Sequence, residues 1–99
     1  MSARLVFRPL AAAEIAEAYA WYDQPGINKA DDFMAELERV ERFIRLNPAL
    51  YPRVEGEIHR ANLRRYPYSL FYVVDGRTVS VLSFFHQRRD PKTAPSSAS

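Results

Sequence analysis

Polar and apolar positions along the chain change period near residue 50, and the two halves predict different elements. In the first half, Ile15, Ala18, Tyr19 and Tyr22 recur at the i, i+3, i+4, i+7 spacing of one helix face, leaving Glu14, Glu17 and Asp23 largely outside it. Pro9 suits the first turn of that helix, where its missing N–H would have had no partner, and the short apolar run of Arg4 to Arg8 predicts a strand ahead of it. Asp23-Gln24-Pro25-Gly26 is a stop and turn. Asn28 is placed to cap a second helix, with Asp31 and Asp32 near the positive end of its dipole. Phe33, Leu37, Val40 and Ile44 then keep helical spacing until Asn47-Pro48 ends the run, so the two helices form a hairpin.

From Tyr51 onward the residues are β-prone. Ile58 to Arg64 predicts one strand, and after the break at Tyr66-Pro67, Tyr68 to Val74 and Arg77 to Phe85 predict two more around Asp75-Gly76, a strong hairpin signal. If Asp75 and Gly76 are the loop, Val74 opposes Arg77, Tyr72 opposes Val79 and Leu70 opposes Val81. That face is the better core, and the other, carrying Ser69, Phe71, Val73, Thr78, Ser80, Leu82, Phe84 and His86, reads as semi-polar and part exposed. The predicted order is β-α-α-β-β-β, an α+β fold with a helical hairpin packed on one face of an antiparallel sheet.

A chain of 99 residues has room for one core, which the pattern assigns to residues 1–91, and the small polar segment of residues 92–99 is expected to be a disordered tail. No stretch is long and apolar enough to span a bilayer and none has the form of a secretion signal, so a cytoplasmic protein is expected. The lack of cysteine excludes thiolate metal sites, and two histidines, His59 and His86, do not make a metal site alone; neither a metal nor a cofactor is expected. Charge alters the picture through its distribution. Residues 1–50 carry six basic groups against eight acidic ones, whereas residues 53–89 carry seven arginines against three acidic residues. Arginine's planar fork matches carboxylate and phosphate, so an anionic partner would meet the second half.

The segments Ala20-Trp21-Tyr22, Asn47-Pro48-Ala49-Leu50-Tyr51-Pro52, Leu63-Arg64-Arg65-Tyr66-Pro67-Tyr68-Ser69-Leu70-Phe71-Tyr72 and His86-Gln87-Arg88-Arg89-Asp90-Pro91 follow in a fixed order. Together, over about residues 4 to 91, they resemble the RelE/ParE toxin superfamily, nearer its ParE or plasmid-stabilisation branch. The resemblance implies the toxin half of a type II toxin-antitoxin system, held by a ParD-like or similar antitoxin in a hetero-oligomer. It also implies two mechanisms: inhibition of DNA gyrase, as in ParE-like members, or ribosome-dependent cleavage of mRNA, as in RelE-like ones. A fold alone does not choose between them. An antitoxin-bound module with little or no toxicity is a third reading.

For cleavage, the candidate catalytic residues are Arg64 and Arg88, which match arginines of RelE-like nucleases, and His86, whose type suits proton transfer near neutral pH. Each also has a plain structural role open to it: a surface arginine on a strand, paired with Glu57 or Asp90, or a part-buried histidine at a strand end. His59 is a weaker candidate, facing solvent or the loop before it. The chain departs from RelE-like nucleases in having Thr93-Ala94 where they carry an aromatic residue, and Gly56-Glu57-Ile58 where they carry lysines. Loss of base stacking favours the ParE-like reading, action by binding. Candidate partner-binding residues are Arg64, Arg65, Arg88, Arg89, Trp21 and Tyr22, the last two being equally suited to a core.

Overall fold

The computed structural model describes residues 2–87. The chain begins with β1 (Arg4–Phe7) and then forms the helical hairpin of α1 (Pro9–Tyr22) and α2 (Ala30–Leu46). Four strands follow: β2 (Arg53–Glu55), β3 (Ile58–Asn62), β4 (Tyr68–Asp75) and β5 (Thr78–His86). The α+β class and the helical hairpin are as the pattern predicts. Two features of the sheet differ from the predicted antiparallel arrangement. An additional strand, β2, lines β3, and β1 inserts parallel to β5, giving a mixed five-stranded sheet in the order β1-β5-β4-β3-β2. Neither is visible in local alternation: all three residues of β2 are exposed, and the β1–β5 pairing joins Arg4 to Thr78 across most of the chain.

Pro9 opens α1 as expected, and the helix closes where the Asp23 N–H donates to the Tyr19 carbonyl at 2.9 Å. Its buried line is Ala11, Ile15, Ala18 and Tyr22; Tyr19 is 37 % exposed and does not complete the stripe. Two alanines on this line bring the helix close to the sheet. The expected cap at Asn28 is replaced by a different device. Asn28 adopts φ 52°, a left-handed conformation asparagine tolerates, and Lys29 occupies the cap position with no side-chain cap bond. The Lys29 N–H instead donates to the Tyr22 carbonyl at 2.9 Å, which fastens the start of α2 to the end of α1. Phe33, Leu37, Val40 and Ile44 are all fully enclosed, as their spacing predicts.

The hairpin turns one residue later than expected. Asp75 pairs with Thr78, leaving Gly76 and Arg77 as the loop, and Gly76 at φ 61° occupies the first loop position, where a type II′ turn requires a positive φ. Val74 therefore opposes Val79 rather than Arg77. The register moves by two residues, which leaves Leu70, Tyr72, Val79 and Val81 on the core face as predicted. Further along, Tyr72 pairs with Val81 but Phe71 with Ser83, so Leu82 is an extra residue in a β-bulge. Beyond it the parity of β5 reverses. Phe84 and His86, expected on the outer face, lie opposite Leu70 and Tyr68, and Phe84 is buried in the core. The Phe84 N–H donates to Glu14 Oε1 on α1 at 2.9 Å, supplying a partner past the end of β1. The outer face is also more enclosed than expected, since Ser69, Phe71 and Ser83 are buried.

Candidate functional site

The core ends in an aromatic box below the β3–β4 connection. Tyr22 stacks on Phe33 with ring centroids 5.0 Å apart and meets Tyr66 edge-on at 5.0 Å, while Tyr68 stacks on Phe84 at 4.8 Å. Offset and edge-to-face contacts of this kind fix ring positions beyond what area burial alone provides. Tyr22, a candidate for partner binding, is thus built into the box. Its neighbour Trp21 points away and is 57 % exposed. It lies on the rim of a cleft of about 350 Å³ shared with Glu14, Glu17, Gln24 and Tyr68.

Leu63 to Pro67 run over this box, and α2 holds them there through two carboxylates one turn apart. Glu36, buried, accepts both Nε and a terminal nitrogen of Arg39 at 2.7 and 2.8 Å, and accepts the Arg64 backbone N–H at 2.5 Å. Asp32 accepts the Tyr66 hydroxyl and pairs with the Arg65 guanidinium at 3.2 Å. Arg65 itself adopts φ 67°, a conformation costing a non-glycine residue roughly 1–2 kcal/mol, and its guanidinium lies 5.9 Å from the Tyr66 ring centroid. The contacts from α2 over-determine this turn and keep it in place.

Electrostatics follow from the same bonds. The hydrogen bonds from Arg39 hold the Glu36 carboxyl below its usual range against the opposing effect of burial, with the Arg64 N–H adding to the effect. The Tyr66 hydroxyl does the same for Asp32, helped by Arg65. Burial first, and the hydrogen bond to Asp32 second, push the Tyr66 hydroxyl up to about 12.

Of the sequence candidates, Arg64, Arg65 and His86 come to one end of the sheet. The Leu63 N–H donates to the Tyr68 carbonyl at 2.9 Å, and the Gln87 N–H to the Pro67 carbonyl at 2.7 Å, which ties the exit of β5 to the β3–β4 connection. His86 sits opposite Tyr68, edge-to-face at 5.2 Å. Arg65 is engaged by Asp32, whereas the Arg64 side chain is exposed and makes no hydrogen bond or ion pair among the described residues. Glu57, one partner proposed for it, pairs instead with Arg53 at 3.5 Å. Arg88 and Arg89, with Asp90, lie outside the described residues. His59 is remote in role: it stacks on Tyr72 at 4.8 Å with Nδ1 at 2.7 Å from the Tyr51 carbonyl, the loop before it. Among the described residues no group of three His, Asp or Glu side chains is placed to hold a metal ion, and no helix is long and apolar enough to cross a membrane.

Sequence reasoning did not single out Asp32, Glu36 and Tyr66 as parts of the site. A signal was present: Glu36 lies on the border of the Phe33, Leu37, Val40 stripe, three residues ahead of Arg39, where a carboxylate sits beside the core with a cation in reach.

A two-helix hairpin on a five-stranded sheet with this connectivity occurs in several solved toxins. The chromosomal ParDE toxin-antitoxin system from P. aeruginosa superimposes with a TM-score of 0.69 at 22 % identity, over 86 % of this chain and 96 % of that one. The RelBE2 toxin-antitoxin complex from Mycobacterium tuberculosis gives 0.62 at 18 % identity, over 87 % and 99 %, and the isolated RelE toxin of E. coli gives 0.54 at 22 % identity, over 90 % and 88 %. At these identities the likeness is one of fold. No curated protein sequence matches significantly. Residues 5–91 match the family described as ParE toxin of type II toxin-antitoxin system, parDE, and the chain belongs to that family.

Proposed function

We propose that this protein is a cytoplasmic toxin that acts by binding and inhibiting DNA gyrase, and that an antitoxin encoded beside it neutralises it in a hetero-oligomer. Membership of the ParE family supports the class. The observation that carries the mode of action is the chemistry around Arg64. It displays a cation, yet Asp32 and Glu36 are held below the usual carboxylate range and Tyr66 is raised to about 12. These three groups are already engaged, by Arg39, the Arg64 N–H, Arg65 and one another, which leaves the Arg64 guanidinium as the group on offer. A site of this kind suits recognition of an anionic group better than proton transfer. Purified gyrase should lose supercoiling activity, or accumulate cleaved DNA, when the folded protein is added; unchanged supercoiling without cleaved DNA would remove the reading.

One placement favours ribosome-dependent mRNA cleavage as the second reading: His86, an acid-base group, shares an end of the sheet with Arg64. Brief induction followed by mapping of mRNA ends separates the two, since codon-positioned cuts abolished by Arg64→Ala belong only to cleavage.

The partner is argued from the solved relatives, one a toxin-antitoxin system and another a toxin-antitoxin complex by name. Arg64 and Arg65, with Trp21 on α1 and the sequence candidates Arg88 and Arg89, are the residues we assign to partner contact. Tyr22 is assigned to support of Tyr66 from below.

A further inference from the structure

The acidic pair of α2 does more than complete the core. Adjacent arginines at 64 and 65, both candidates for partner contact, are treated differently by the structure. Arg65 folds back onto Asp32 and the Tyr66 ring, in a left-handed backbone conformation. Reversing the chain there turns Arg64 outward, and Glu36 fixes its backbone from within through the Arg64 N–H. Holding the backbone of a residue in place before its partner arrives favours binding, because less conformational freedom is then lost at the interface. We propose that Asp32 and Glu36 are positioning residues that set Arg64 to receive a carboxylate of the antitoxin. The inference rests on the antitoxin reading above and extends it to residues that do not touch the partner.

Charge calls for an anion, and the antitoxin reading makes it a carboxylate. A guanidinium donates two parallel N–H bonds to a carboxylate, as Arg39 already does to Glu36 in this molecule. Asp32 and Glu36 are also anionic, so a structural purpose alone would be met as well by placing them away from the displayed cation. Instead, besides the Arg39 pair of Glu36, their bonds are to the backbone N–H of 64, the side chain of 65 and the hydroxyl of 66, three consecutive residues at the turn that carries Arg64.

The test is a double-mutant cycle on affinity for the purified product of the adjacent antitoxin frame, measured with the full chain. Arg64→Ala should weaken binding about tenfold or more, in the range of a lost charge-assisted contact. Asp32→Asn, at a half-exposed side chain, should fold normally and weaken binding about threefold to tenfold in the Arg64 background but less than twofold on Arg64→Ala, the non-additivity of coupled residues. Glu36→Gln provides a second arm. If the losses add, the acidic pair is merely structural and the proposal fails. An unchanged affinity in Arg64→Ala overturns it as well, even if gyrase inhibition drops, because the anion would then belong to another partner. Failure of the unaltered protein to bind the antitoxin would instead remove the underlying reading, and this inference with it.

Discussion

Glu36 is a carboxylate buried beside an aliphatic stripe, a position that costs several kcal/mol unless every lone pair facing the protein is satisfied. Two bonds from Arg39 and one from the Arg64 backbone meet that requirement. Removing the carboxylate by Glu36→Ala leaves a backbone N–H and a guanidinium short of partners, and should lower unfolding free energy by about 1–3 kcal/mol in urea titrations at neutral pH. The pH dependence has a definite sign. Because the folded-state value is depressed, the contribution is complete above the ordinary carboxylate range near 4.3 and is lost as pH falls through the lower folded value. Unfolding midpoints should therefore fall in acid for the natural protein and fall less steeply for Glu36→Gln; equal acid sensitivity would show that Glu36 contributes nothing through its charge.

At the scale of elements, the helices were legible because their signals are local. Pro9 starts α1 and Asn47-Pro48 follows the end of α2, and no distant contact overrides either. The β4–β5 hairpin was legible to within its turn, where Asp75-Gly76 names the right region while the positive φ of Gly76 at the first loop position fixes the register. The bulge at Leu82 was not legible. Strict alternation places Leu82 and Phe84 together, but the aromatic box needs Phe84, and an inserted residue brings it in. The same holds for the site: Arg64 was singled out by motif, whereas Asp32 and Glu36 reach its turn across 28 to 34 residues, and the local pairing of Glu36 with Arg39 does not reveal that reach. The bulge gives a stability contrast. Phe84→Ala, in a fully enclosed position, should cost about 3–5 kcal/mol, and Leu82→Ala, at the half-buried extra residue, no more than about 1–2 kcal/mol. Comparable losses in denaturant titrations would contradict the parity reversal.

Across the whole molecule, the described arginines of the second half are divided between places. Arg64 and Arg65 stand at the end of the sheet where β5 exits, Arg53 and Arg60 on the β2–β3 side, and Arg77 in the hairpin loop at the opposite end, beside Arg4 at the start of β1. The described arginines of the second half therefore stand in separate groups. An antitoxin neutralising this molecule must engage one end or wrap a long path, and α1 offers an intermediate foothold. Trp21, the single tryptophan, is more than half exposed on the rim of the cleft that reaches Tyr68, at the Arg64 end. In the free protein its emission should be that of a solvated indole, readily quenched by acrylamide. If the antitoxin approaches the Arg64 end along α1, the emission maximum should shift to the blue and quenching should fall on complex formation. Arg77→Ala, at the far end, should leave both changes intact, whereas an unshifted Trp21 signal in a saturated complex would place the antitoxin away from α1. Because one indole reports and Arg64 and Arg77 lie at opposite ends, this measurement orients the partner on the molecule without a structure of the complex.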